Sequence, residues 1–128
     1  MTKQQTTVLI VEDEPLLRNA YQAKLEHEGF RVFLAENGKV GLELLQNVYP
    51  DIILLDMIMP EMNGLDFLEI MKEKKLDAVP VIVLSNLDDD GNAKKVKKLG
   101  VKEFLIKSNI TIQDIPDKIK KHLPKKHS

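Results

Sequence analysis

Residues 8–15 read VLIVEDEP, and residues 52–56 read IILLD. In each, four consecutive aliphatic residues run directly into acid. A continuous apolar run of this length fits a β-strand buried on both faces, and acid at its end marks where the chain leaves the core. Pro15 suits the first turn of a helix that leads away. Three further short runs punctuate the chain, so the five are Val8 to Val11, Arg31 to Ala35, Ile52 to Leu55, Val81 to Leu84 and Phe104 to Ile106. Between and after them the apolar residues adopt helical spacing: Leu17, Ala20, Tyr21, Leu25; Val40, Leu44; Leu65, Leu68, Met71; Ala93, Val96, Leu99; Ile112, Ile115, Ile119, Leu123. Asn37 and Asn63 are placed to cap helices, and Gly29 and Gly100 to end them. TIQD at Thr111 has the form of a capping box, but Pro116 would then fall beyond the first turn, so the last helix is expected to start nearer Asp114.

Strands alternating with helices predict an α/β domain with a parallel sheet covered on both faces, because parallel neighbours require crossover connections. All five strands then end along one edge, where such sheets bind ligands. The 128 residues suit a single domain over 1–128, with tails at 1–6 and 124–128. Hydrophobic residues at 43% and charged residues at 30% place the chain among ordinary globular proteins. The absence of cysteine removes disulfides, thiolate metal sites and cysteine nucleophiles, and suits a reducing, cytoplasmic setting. No apolar run approaches the roughly 18 residues that would span a bilayer, and MTKQQTT has no signal-peptide character. Charge is unevenly distributed: residues 1–90 carry 8 basic and 17 acidic side chains, residues 91–128 carry 11 basic and 3 acidic. With Phe104 as its one aromatic, the basic third has no base-stacking pattern, so it is read as a solvated or protein-facing surface and not as a nucleic-acid site.

The residues that follow the runs carry the chemistry. Glu12 and Asp13 follow the first, Asp56 the third, Ser85 the fourth and Lys107 the fifth. In strand order 2-1-3-4-5 the first and third strands are neighbours, which crowds Glu12, Asp13 and Asp56. Two unit charges about 4 Å apart cost about 4 kcal/mol at an effective dielectric near 20. Crowded carboxylates therefore need a proton or a cation. Three oxygen donors without His or Cys suit Mg²⁺, Mn²⁺ or Ca²⁺ over zinc, and Mg²⁺, which retains waters and shares its shell with phosphate, fits a sheet edge best. Asp56 is then a candidate nucleophile towards phosphorus, with Lys107 and Ser85 placed to neutralise and hydrogen-bond phosphoryl oxygens.

The set VLIVEDEP, IILLDMIMPEMNG, VIVLSN and EFLIK resembles the receiver domain of bacterial two-component response regulators, over essentially the whole chain. The resemblance implies a flavodoxin-like (βα)₅ fold. It also implies phosphoryl transfer to Asp56 from a histidine kinase or phosphotransfer protein, with Mg²⁺ (or Mn²⁺) held by Glu12, Asp13, Asp56 and the backbone carbonyl of Ile58. Ser85 and Phe104 become switch residues that reshape the face of the fourth helix, fifth strand and fifth helix for a downstream protein target. A receiver is a switch and not an enzyme in the usual sense. Four positions depart from the family pattern: Ser108 replaces the usual proline after Lys107, Asn86 stands where a very small residue is usual, and Ile58 and Leu87 are apolar where a polar side chain could position water.

Other readings fit less well. An aspartate-nucleophile phosphatase needs a second Asp two residues on, where Ile58 stands. A flavin module needs a phosphate-cradling loop that EDEP would repel. NLDDDG fails as a calcium loop because its twelfth position is Lys97. The competing function is a receiver-shaped interaction scaffold that is never phosphorylated.

Overall fold

Every strand pairing in the computed structural model is parallel, in the order β2-β1-β3-β4-β5, as the alternating pattern requires. The structure describes residues 5–86 and 90–123. The strands are β1 (Thr7–Val11), β2 (Arg31–Ala35), β3 (Ile52–Asp56), β4 (Val81–Ser85) and β5 (Glu103–Ile106). The helices are α1 (Pro15–His27), α2 (Gly38–Leu45), α3 (Gly64–Glu73), α4 (Asp90–Lys98) and α5 (Ile115–His122). The fold class is the one expected. Of the expected tails, only Gln5 and Thr6 lie among the described residues, and the Thr6 carbonyl already accepts the Arg31 amide at 2.8 Å.

Strand alternation divides the core into two layers. Val8, Ile10, Ile52, Leu54, Ile82 and Leu84 face α1 and α5, meeting Tyr21, Leu25, Ile115 and Ile119. Leu9, Val11, Ile53, Leu55 and Val83 face the other way, against Leu42 and Leu45 of α2, Phe67, Leu68 and Met71 of α3, and Val96 of α4. All five residues of β3 and all five of β4 are buried, which is why their sequences show no polar alternation.

Local chemistry sets the helix ends. Asn37 accepts the Val40 amide at 2.8 Å, and Asn63 with Asp66 forms a reciprocal capping box. Gly29 (φ 95°) and Gly100 (φ 87°) occupy the left-handed region after α1 and α4, where an L side chain would be strained. The Thr111–Asp114 box also forms, but it opens a 3₁₀ turn (Ile112–Asp114), and α5 follows with Pro116 in its first turn. Pro116 therefore removes no helical hydrogen bond.

Three packing details differ from the periodicity. Ala20 is exposed, and α2 buries Leu42 and Leu45 more deeply than Val40 and Leu44. Phe67, outside the Leu65-Leu68-Met71 spacing, is completely buried. Its ring lies 3.0 Å from where a Cβ on Gly41 would sit, so an aromatic on α3 requires the smallest residue on α2. Among the described residues no helix is long and apolar enough to cross a membrane. Phe67→Ala removes the largest fully buried side chain and should cost about 3–5 kcal/mol of folding free energy in urea denaturation.

Candidate functional site

Register brings the site together. Val11 pairs with Leu55 across β1–β3, so the next residues, Glu12 and Asp56, leave the ladder side by side. Asp56 and Ser85 are themselves the last residues of their strands, one position further into the sheet than the apolar runs suggest. Asp56 pairs with Leu84, and Ser85 with Ile106, which precedes Lys107. Glu12, Asp13, Asp56 and Lys107 thus converge, with fully buried Ser85 one strand away from Asp56.

Ligand oxygens of Glu12, Asp13 and Asp56 lie within 4.8 Å of one another. Glu12 and Asp56 are only 2% and 4% exposed, so neither charge is relieved by bulk water. Lys107 enters between them: its Nζ lies 3.1 Å from Glu12 Oε1 and 3.2 Å from Asp56 Oδ1. One ammonium against two buried carboxylates leaves the centre negative. Burial, and then the neighbouring Glu12 charge, push the Asp56 carboxyl up to about 7 against the opposing pull of Lys107. Burial would lower the Lys107 ammonium, but Asp56 and Glu12 outweigh it and hold it above the ordinary lysine range. Burial also raises the Tyr21 hydroxyl, which lies in the field of Lys107, Glu12 and Asp56.

The acids after β1 do not serve the helix. Glu14 stands at the N-cap of α1, yet its side chain makes no capping hydrogen bond. Its backbone N–H instead donates to the Glu12 carboxylate at 3.1 Å. The chain after Asp56 is equally constrained. A Cβ on Gly64 would come 3.0 Å from Met57 Cα and 3.2 Å from the Asp56 carbonyl oxygen, so α3 can start this close to the site only with glycine there. Ile58 donates its backbone N–H to Asp56 Oδ1 at 3.5 Å, while its side chain is half exposed at the rim.

The donor set is all oxygen, with no His or Cys in the cluster, which fits a hard divalent cation. Lys107 opens a 3₁₀ turn (Lys107–Asn109), and its bond to Ser108 is trans. On the far side of Lys107 a cavity of about 370 Å³ opens between α1 and the loop before α5, with Leu17, Tyr21, Ile112 and Ile115 as walls and Asn86 beside the lysine. Phe104 packs against the core layer beneath α4, and Lys97 Nζ lies 5.9 Å from its ring centroid. Leu87 lies outside the described residues.

The model of the response regulator receiver domain matches residues 8–120. The chain belongs to this family. Among curated relatives, the receiver is 34% identical over 101 residues to the PilH protein of Pseudomonas aeruginosa, covering 78% of this chain and 84% of that one. It is 40% identical over 104 residues to a protein-glutamate methylesterase/protein-glutamine glutaminase of Treponema pallidum, covering 78% of this chain but only 26% of the relative. The first curated relatives are longer proteins, of which the receiver spans 42% and 26%. A solved receiver domain of a Francisella response regulator superposes with a TM-score of 0.82 at 28% identity, covering 91% of this chain and 94% of that one.

Two residues of the receiver site escape the sequence reading. Tyr21 reads as core, and is core, yet its ring also forms the wall behind Lys107. Arg18 has no obvious place in a helical pattern, but its Nη1 donates to the carbonyls of Glu12 at 2.9 Å and Asp13 at 3.3 Å. The available signal is its position in the first turn of α1, since helical side chains lean towards the N-terminus.

The raised Asp56 carboxyl has a defined consequence for stability. Folded protein holds this proton up to about pH 7, whereas the unfolded chain releases it near the ordinary Asp value of 3.8. The folded state thus binds more protons in that window, and stability contributed by the neutral acid falls as pH rises through it. Asp56→Asn, neutral at every pH, should stabilise the receiver more at pH 8 than at pH 5 by about 2 kcal/mol in metal-free urea denaturation.

Proposed function

We propose that this receiver accepts a phosphoryl group on Asp56 from a phosphohistidine of a histidine kinase or phosphotransfer protein in the cytoplasm, and signals the change to a protein target through its α4–β5–α5 face. The observation that carries this reading is the single sheet edge at which Asp56, buried beside Glu12, faces the Lys107 ammonium at 3.2 Å. No ordinary structural role explains two buried carboxylates held against each other with, among the described residues, one ammonium between them.

In the transfer, an Asp56 carboxylate oxygen attacks phosphorus. The new P–O bond forms as the P–N bond to imidazole breaks; the nitrogen leaves with the electron pair and takes up a proton. Lys107 faces the transferring group and neutralises its oxygens, and the Ser85 hydroxyl donates to one of them. Glu12, Asp13, Asp56 and the Ile58 carbonyl would hold Mg²⁺, which supplies positive charge against the phosphoryl oxygens and keeps Asp56 ionised. A carboxyl that titrates near 7 without such a cation is poised for this, because the same crowding that raises it favours any added positive charge.

Once formed, the phosphoaspartate carries nearly two negative charges where the carboxylate carried one, and it presents three acceptor oxygens beside Lys107 and Ser85. Drawing both towards the group leaves room for Phe104, which turns inward from beneath α4. The elements that report this are rich in exposed lysine: Lys94, Lys95, Lys97 and Lys98 on α4, Lys102 before β5, and Lys120 and Lys121 on α5. Glu103 gathers Lys118 at 3.4 Å and His122 at 2.6 Å. Only a preference of a few kcal/mol between two packings has to be reversed.

Mass spectrometry after incubation with a small phosphodonor and Mg²⁺ should show one added phosphoryl group that is absent in Asp56→Asn; an unmodified parent would favour the scaffold reading. The half-exposed Ile58 places an aliphatic wall where a polar side chain could hold the attacking water. Ile58→Asn should therefore shorten the phosphoaspartate lifetime measured by loss of the modified mass. An unchanged lifetime would remove Ile58 from hydrolysis control.

A further inference from the structure

We infer that Arg18 is a positioning residue for the acidic pocket, setting its affinity for a divalent cation by fixing the backbone that carries Glu12 and Asp13. The inference rests on the reading that the pocket takes Mg²⁺. The carbonyls that receive Arg18 Nη1, at 2.9 and 3.3 Å, belong to two of the three carboxylate residues. They lie where the chain turns from β1 into α1.

The two residues depend on this contact unequally. Glu12 is fixed several times over: its N–H donates to the Ala35 carbonyl at 3.0 Å, and its carboxylate accepts from Glu14 N–H and Lys107, both at 3.1 Å. The Asp13 carboxylate accepts no hydrogen bond from any described residue, so its direction follows from its backbone. The side chain that holds the Asp13 carbonyl is Arg18.

Electrostatics alone would not put an arginine here. A cation in the first turn of α1 opposes the positive end of the helix dipole. Arg18 forms no ion pair among the described residues; its planar guanidinium reaches the main-chain carbonyls of Glu12 and Asp13 instead. It thereby leaves the carboxylate oxygens turned into the pocket. Its charge also repels an arriving dication, so charge and positioning act on metal affinity with opposite signs.

That opposition supplies the test. Mg²⁺ is titrated calorimetrically into the unphosphorylated full chain at fixed ionic strength, for the parent, Arg18→Met and Arg18→Lys, with metal-free thermal unfolding measured alongside. Positioning predicts that Arg18→Met weakens Mg²⁺ binding about 10-fold, the scale seen when groups orienting metal ligands are removed. Arg18→Lys, which keeps an N–H donor on the same stem, should recover the parent affinity. Equal or tighter binding by Arg18→Met, as relief of charge repulsion alone requires, overturns the proposal, as does a loss that Arg18→Lys fails to recover. If Arg18→Met does not hold its fold, Arg18→Leu, which likewise carries neither charge nor N–H donor, gives the same two signs. Uptake by the parent with no loss in the variants overturns this role alone, whereas no uptake by the parent overturns the metal reading as well.

Discussion

The receiver depends on a repulsion that its own fold creates. Pairing β1 with β3 in parallel register forces Glu12 and Asp56 out of the sheet together, and the helices on either side exclude the water that would screen them. Lys107, delivered by a strand two places away from β3, is the counterweight, and it is insufficient for all three acids. The resting site is thus held in deficit of positive charge. A fold would ordinarily replace such a group with packed hydrophobic residues at a gain in stability, and its presence is intelligible as the cost of a site that responds to added charge.

In the proposed function the same deficit links chemistry to signalling. Lys107 touches both buried carboxylates and directly follows β5, the strand that also carries Phe104 and Glu103. Phe104 lies between the core layer and α4, under Lys97. Glu103 is anchored to α5, where hydrogen bonds from His122 and Lys118 outweigh its partial burial and hold its carboxyl below the usual range. One short strand therefore touches the acid pocket at its end and both flanking helices along its length. A displacement of Lys107 need travel only three residues to reach the lysine-rich surface.

Around this centre the backbone is closely packed and hydrogen-bonded. Asp56 precedes a loop that returns at Gly64 so closely that its glycine almost touches Met57, and the Gly64 N–H donates to the Met57 carbonyl at 2.8 Å. Glu12 is held by donors on its main chain and side chain. Ile58, half exposed beside Asp56, borders the pocket without adding charge to it.

Much of this was legible in the linear chain, because the periodicities involved are local. Four-residue aliphatic runs alternating with helical segments select a parallel sheet covered on both faces, and that architecture puts every strand end on one edge. Glu12, Asp13, Asp56, Ser85 and Lys107 follow from position alone, as do the caps Asn37 and Asn63 and the helix-ending glycines. What the chain could not state is what depends on distances between segments far apart in sequence. That Lys107 sits between Glu12 and Asp56, that Phe67 needs Gly41 and that Tyr21 lies in the field of the site are settled by packing between elements. Even Arg18, only five residues from Asp13, gains its meaning from where the first turn of α1 aims it. Composition fixes which chemistry is available; the tertiary structure decides which charges lose their water, because burial is a property of the assembled layers and of no single segment.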